Sequence, residues 1–418
     1  MRLLKLELKR VLKSRITVIL LLAILAISAF MAYIPITFSY ATVWDEQGEK
    51  TTLLGLDAIA FDKQVQSVIA GPVTPALVRE ALTAYQECLA EYGVETTRDL
   101  PDGVYIRRLY PYSPLFKGIR EVFADPKTGL APSLLDVQPE QLDGYYDAIA
   151  QHLSDLMKLE QPEHPAAQAA AEGLFRRVQT PYVFYPGYNS DAMDYQMLTA
   201  FLVLLLCAVI TAPVFASDYQ TGADDILRCT KLGRLRLAVV KISAALLISA
   251  VAFCISAGMY LVISDSLYGW ACTKTSIQLL FSIVNLPNMS LWQLQLTCAA
   301  GYLLTLLATV SLTLLLSSRF HSVVSALAVS LLLCILPVVV CISLPESISN
   351  WLLTILPAGG AALQGSLLYK LIDFSFLHLG KVSVWMPFAM AAALIVEIPL
   401  FLYLAAPKSS RRDDLEED

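Results

Sequence analysis

The sequence predicts an all-α polytopic membrane protein with six transmembrane helices and a helix-rich extracytoplasmic domain between the first and the second. Three observations predict it. Hydrophobic residues make up 56% of the 418 positions and charged residues only 16%, and the mean hydropathy is +0.59, more apolar matter than one soluble core uses. Six apolar runs approach the roughly 20 residues that cross a hydrocarbon core: 16–38, 197–215, 239–263, 294–316, 323–343 and 385–406. Between the first two lies a long polar stretch, 40–195, where acids outnumber bases roughly two to one, as a long translocated loop tolerates.

Residues 1–15 form a basic amphipathic helix, with Leu4, Leu8 and Leu12 on one face, Leu3 and Val11 beside them, and Arg2, Lys5, Lys9, Arg10, Lys13 and Arg15 as charges. Such a helix suits the inner membrane surface, and it also serves as a positive-inside flank. The run 16–38 is longer than a signal-peptide core, so it reads as an uncleaved anchor although Ser39-Tyr40-Ala41 resembles a cleavage site.

In the polar domain, Thr74-Pro75 is an N-cap with proline at the first helical position, Leu77, Ala81, Leu82, Tyr85 and Leu89 follow at helical spacing, and Gly93 ends the helix. Stretches 57–70, 139–160 and 165–178 read as further helices, and the Pro- and Tyr-rich stretches 105–114 and 180–188 as ordered loops or short extended pieces.

Bases cluster in the loop between the second and third runs (Arg228, Lys231, Arg234, Arg236 and Lys241), near Arg319 and His321, and after the sixth run at Lys408, Arg411 and Arg412. The positive-inside rule then predicts a multi-pass protein of the bacterial cytoplasmic (plasma) membrane with both termini cytoplasmic. Domains follow: helix 1–15, first span 16–38, outer domain 40–195, spans two to six within 197–406, and an acidic cytoplasmic tail 407–418. The outer segment 344–384 holds two short helices, 348–356 and 361–372, separated by Pro357-Ala358-Gly359-Gly360, a pair suited to dip into the outer leaflet if protein covers the broken backbone. Segment 277–286 is apolar but too short to cross, with Trp270 and Trp292 suited to a membrane interface.

The net charge of −6 carries little as a total, because acids and bases occupy different segments, and no basic face for nucleic acid exists. There is no phosphate loop, no nucleophile elbow and no His-Glu-x-x-His. The four histidines, His152, His164, His321 and His378, are far apart in sequence, and enzymatic chemistry and metal binding are not expected. Of the eight cysteines, Cys88 and Cys272 fall outside the membrane, where a bridge and two free thiols both fit. Pro213 and Pro337 mark kinks. Glu397, near the middle of the sixth run, is an intramembrane polar candidate: a cargo contact, a proton relay, or a protonated carboxyl bonded to a hydroxyl or to carbonyls that Pro399 frees.

The loop 216–238 is the sharpest feature. A short helix starting at Thr221 presents Ile226, Leu227, Leu232 and Leu235 as an apolar ridge flanked by Asp224, Asp225, Arg228, Lys231 and Arg234, a pattern that fits a helix-in-groove contact and equally a solvated loop whose bases only fix topology. Phe215-Ala216-Ser217-Asp218-Tyr219, Gly222, Leu227, Thr230, Gly233-Arg234 and Lys241 together resemble the signature of the type-2 ATP-binding-cassette (ABC) transporter permease family, in the subset with a large domain after the first helix. Asp218 stands where that family often has Glu.

The resemblance implies a permease subunit of an ABC exporter that binds no cofactor itself. ATP and Mg act through a separate cytoplasmic ABC ATPase docked at Asp218, Gly222, Ile226, Leu227, Arg228, Lys231, Gly233 and Arg234. A second copy or sister permease completes a dimer in the lipid bilayer. A membrane-anchored binding or signalling module, whose outer domain senses a ligand or envelope partner without moving cargo, is the second reading, and a membrane-bound hydrolase the third. A cargo path calls for polar faces on the second and fifth helices, where Thr199, Thr211, Ser325 and Ser330 form a weak stripe.

Overall fold

The computed structural model describes residues 2–44, 49–222 and 233–406. Among these, six helices are long and apolar enough to cross a membrane: Arg15–Phe38, Asp191–Thr221, Arg236–Tyr268, Leu291–Arg319, Val323–Ser343 and Met386–Ala405. Several overrun the apolar runs that predict them, because their polar end turns pack on one another rather than on lipid; Gln196, Asp265 and Gln295 are all buried.

The fourth span is the hub, packing against the second, third, fifth and sixth, while the first lies on the second and third. Four of its hydroxyls are satisfied within the helix: Thr305, Thr309, Ser311 and Thr313 donate to carbonyls one turn back at 2.7–2.9 Å. Between the first and third spans the buried hydroxyls of Ser28 and Ser256 meet at 2.6 Å. The amphipathic helix Arg2–Leu12 packs on the first and third spans, and its Leu8 and Leu12 line an apolar cleft of about 390 Å³ with Leu247, Val251 and Ile255.

The domain helix Pro75–Tyr92 forms as its caps predict, with the Thr74 hydroxyl accepting from the Leu77 N–H at 3.3 Å and Gly93 in the left-handed region at φ 65°. Leu56–Val65, Tyr145–Glu160 and Pro165–Phe175 are also helical. The stretch 105–114 is not a loop: it holds Val104–Arg108 and the start of Ser113–Val122, which buries Leu115, Phe116 and Ile119.

The architecture is mostly helical but not all-α, since the described residues include three two-stranded antiparallel ribbons. β1 (Tyr40–Trp44) pairs with β2 (Lys50–Leu54), β3 (Gly71–Val73) with β4 (Tyr182–Phe184), and β5 (Phe376–Leu379) with β6 (Val382–Trp385). Their β-branched and aromatic residues favour the pleat, and Gly380 at φ 63° makes the tight turn between β5 and β6.

Segment 277–286, apolar but too short to cross, folds into the domain: Ile277, Ile283, Val284 and Leu286 are at most 2% exposed and join the domain core. There the Tyr182 hydroxyl donates to the Ile283 carbonyl at 2.9 Å, and the Val183 N–H to Ser276 Oγ at 3.0 Å. The core of the domain is thereby continuous with that of the bundle.

The broken pair before the sixth span exists as Glu346–Ile355 and a second helix, Leu367–Ile372, shorter than predicted. Protein covers the break. A Cβ on Gly359 would sit 1.9 Å from the Leu353 carbonyl oxygen of the preceding short helix and one on Gly360 2.2 Å from the Thr305 hydroxyl of the fourth span, so only glycine permits these approaches.

Two histidines distant in sequence meet in space: the rings of His164 and His378 stack at 3.5 Å with planes 7° apart. Parallel stacking points no nitrogen pair at a common centre, and no metal-holding group exists among the described residues. Cys88 and Cys272 are free and buried, in separate apolar clusters.

Candidate coupling site at the loop end of the bundle

The signature around Asp218 lies at the end of the bundle opposite the domain. Its construction starts at Pro213, which has no N–H and cannot continue the helix Asp191–Thr211, so a new helix, Pro213–Thr221, begins there. A restarted helix leaves first-turn N–H groups without partners. Ser317 of the fourth span supplies them: its hydroxyl accepts from the Phe215 and Ala216 N–H groups at 2.9 and 3.0 Å and donates to the Ala212 carbonyl at 2.7 Å. Pro213 is therefore a junction held by another helix, more than a kink.

One turn further on, Asp218 forms an ion pair with Lys241 of the third span. Lys241 is only 4% exposed; its ammonium also donates to the Val214 carbonyl at 3.3 Å and lies 5.7 Å from the centre of the Phe215 ring. A buried ammonium requires such partners. Lys241 thus does not open the third helix as a surface charge but sits inside it and binds the second. Tyr219 adds a tie to the fourth span, with its hydroxyl 3.4 Å from the Ser318 carbonyl and its ring 5.2 Å from that of His321.

Thr221 ends this helix rather than starting one: its hydroxyl donates back to the Ser217 carbonyl at 2.8 Å, and Gly222 follows in the left-handed region at φ 70°. Gly233 and Arg234 open the helix Gly233–Tyr268. Ile226, Leu227, Arg228 and Lys231, with the tail 407–418, lie outside the described residues.

Glu397 is buried in the sixth span, and its Oε2 has no partner among the described residues, so neither a hydroxyl nor a carbonyl near Pro399 takes it. Of the predicted stripe, Thr199, Thr211 and Ser330 are buried and donate to carbonyls of their own helices, while Ser325 is exposed.

A second polar cluster, which the sequence reading missed, sits at the domain end. Asp265 accepts from Gln295 Nε2 at 2.9 Å, and Gln196 Nε2 donates to the Gln295 carbonyl at 3.0 Å. Asp265 Oδ2, both Gln Oε1 atoms and the Tyr268 hydroxyl are buried without partners among the described residues. The signal is the acid itself, which falls just past the apolar run 239–263.

In comparisons with known proteins, no family model matches this chain and no curated protein matches it.

Proposed function

We propose that the chain is the membrane subunit of an ATP-driven exporter, related to the type-2 ABC permeases, which docks a separate cytoplasmic ATPase through residues 216–238. The observation that carries this reading is the buried pair Asp218–Lys241. Both residues belong to the signature, and their contact ties the two helix ends between which 223–232 run. A push on that segment is then delivered to the second and third spans together, with Ser317 passing it to the fourth. ATP and magnesium are held by the partner, since the chain has no phosphate-binding motif. Two permease chains form the transport unit in the bacterial cytoplasmic membrane, with the 40–195 domain outside.

A second reading, a relay that moves no cargo, draws on the continuity of the domain with the bundle through Tyr182 and Ile283. A ligand that shifts the domain then shifts the third and fourth spans without any passage opening.

Co-purification separates these from a loop that merely fixes topology. The full chain carries an associated ATPase out of the membrane, and Leu227→Asp or Arg234→Glu releases it. Retention of the ATPase by both variants contradicts the docking reading.

A further inference from the structure

The chain carries a cleft on the flank between the fourth and sixth spans, roofed by the broken pair and the domain. Its volume is about 430 Å³, within the range of about 300–1,000 Å³ in which proteins hold small ligands. The walls are apolar, with Leu304, Leu367, Met390, Ala391 and Leu394 among them. Ala300 and Phe388 on its border are exposed, which opens it sideways where lipid surrounds the bundle.

From Trp385 at one end to Leu394 at the other, the sixth span advances about 14 Å at about 1.5 Å per residue. That is about half of a hydrocarbon core of about 30 Å, the depth of one leaflet. An acyl chain of the leaflet on the domain side therefore matches the cleft in depth as well as polarity.

The rim has a charge that the walls lack. Arg177 lies there with an exposed guanidinium that has no acidic partner among the described residues. Asn288, also on the rim, uses its carbonyl oxygen to accept from the Gln179 N–H at 3.2 Å, leaving its NH₂ group to donate. Trp385 is 5% exposed, yet its indole N–H has no partner among the described residues. Three donors thus gather over an apolar slot, and none of the residues lining it is acidic. A phosphate oxygen satisfies such donors and a zwitterionic head does so less well, because its own cation offsets the attraction to Arg177.

We propose that this cleft binds one anionic phospholipid from the leaflet on the domain side, its acyl chain between the fourth and sixth spans and its phosphate among Arg177, Asn288 and Trp385. The site is independent of the coupling loop and of the exporter reading.

Native mass spectrometry of the full chain, released from bilayers of mixed phosphatidylglycerol and phosphatidylcholine, tests it. The expected result is one retained phosphatidylglycerol per chain, about tenfold favoured over phosphatidylcholine, with the preference lost in Arg177→Gln, which removes one charge-assisted contact. Ala391→Trp, which fills the cleft, should abolish retention, and Phe388→Ala, which keeps the donors and widens the slot, should not. Equal retention of the two lipids, no retained lipid, or an unchanged preference in Arg177→Gln overturns the proposal. Retained phosphatidylglycerol in an Ala391→Trp variant that unfolds at the native temperature does so too.

Discussion

Lys241, buried within the third span, is neutralised by Asp218 at the end of the second, and these are the two helices that the 223–232 segment joins. Coulomb attraction at a site of low dielectric offsets the cost of taking the ammonium out of water only while the carboxylate stays. The contact thus clamps the second span to the third at that end of the bundle.

Asp218→Asn leaves the ammonium buried without a counter-charge and should destabilise the fold by about 3–5 kcal/mol. Thermal or denaturant unfolding of the purified chain measures this. The double exchange Asp218→Lys with Lys241→Asp should recover part of the loss; a fully stable Asp218→Asn would show that the pair holds nothing.

Ser317→Ala removes the hydroxyl that serves the Phe215 and Ala216 N–H groups and the Ala212 carbonyl. The orphaned groups should cost about 1–3 kcal/mol. Hydrogen exchange should quicken at Phe215 and Ala216 and stay unchanged along Val323–Ser343.

The stacked pair His164 and His378 makes the β5–β6 ribbon sensitive to acid. Burial holds His378 below its ordinary value of 6.5, and neighbouring His164 lowers it further; burial also lowers His152. A lowered folded pKa means that the unfolded chain binds protons first. The contribution is therefore complete above pH 6.5 and is lost as pH falls through the folded value. Protection of the β5 and β6 amides, measured relative to the intrinsic exchange rate at each pH, should fall as pH drops below about 6.5, and His164→Gln should flatten that dependence.

What was legible in the sequence was what local chemistry dictates. Thr74-Pro75 and Gly93 bound their helix because capping is settled within a turn, and the spans follow from apolar length. The ribbons were less visible: β1 overlaps the Ser39-Tyr40-Ala41 pattern that resembles a cleavage site, and its partner β2 is a separate short stretch. Most of the site depends on contacts between distant segments. Nothing near Phe215 announces that Ser317 will serve its N–H, and Lys241 reads as one topology charge among several until the fold buries it against Asp218. The stacking of His164 on His378 and the rim formed by Arg177 and Trp385 are likewise products of packing.

The central claim is that residues 216–238 couple this chain to an ATPase, and the most direct test is ATPase activity of the chain reconstituted in lipid with that partner. The native loop should stimulate or restrain hydrolysis relative to the ATPase alone. Leu227→Asp and Arg234→Glu should return the rate to that of the isolated ATPase, while Asp218→Asn should keep association and lose the coupling. Rates identical for the native chain and all three variants would contradict the account.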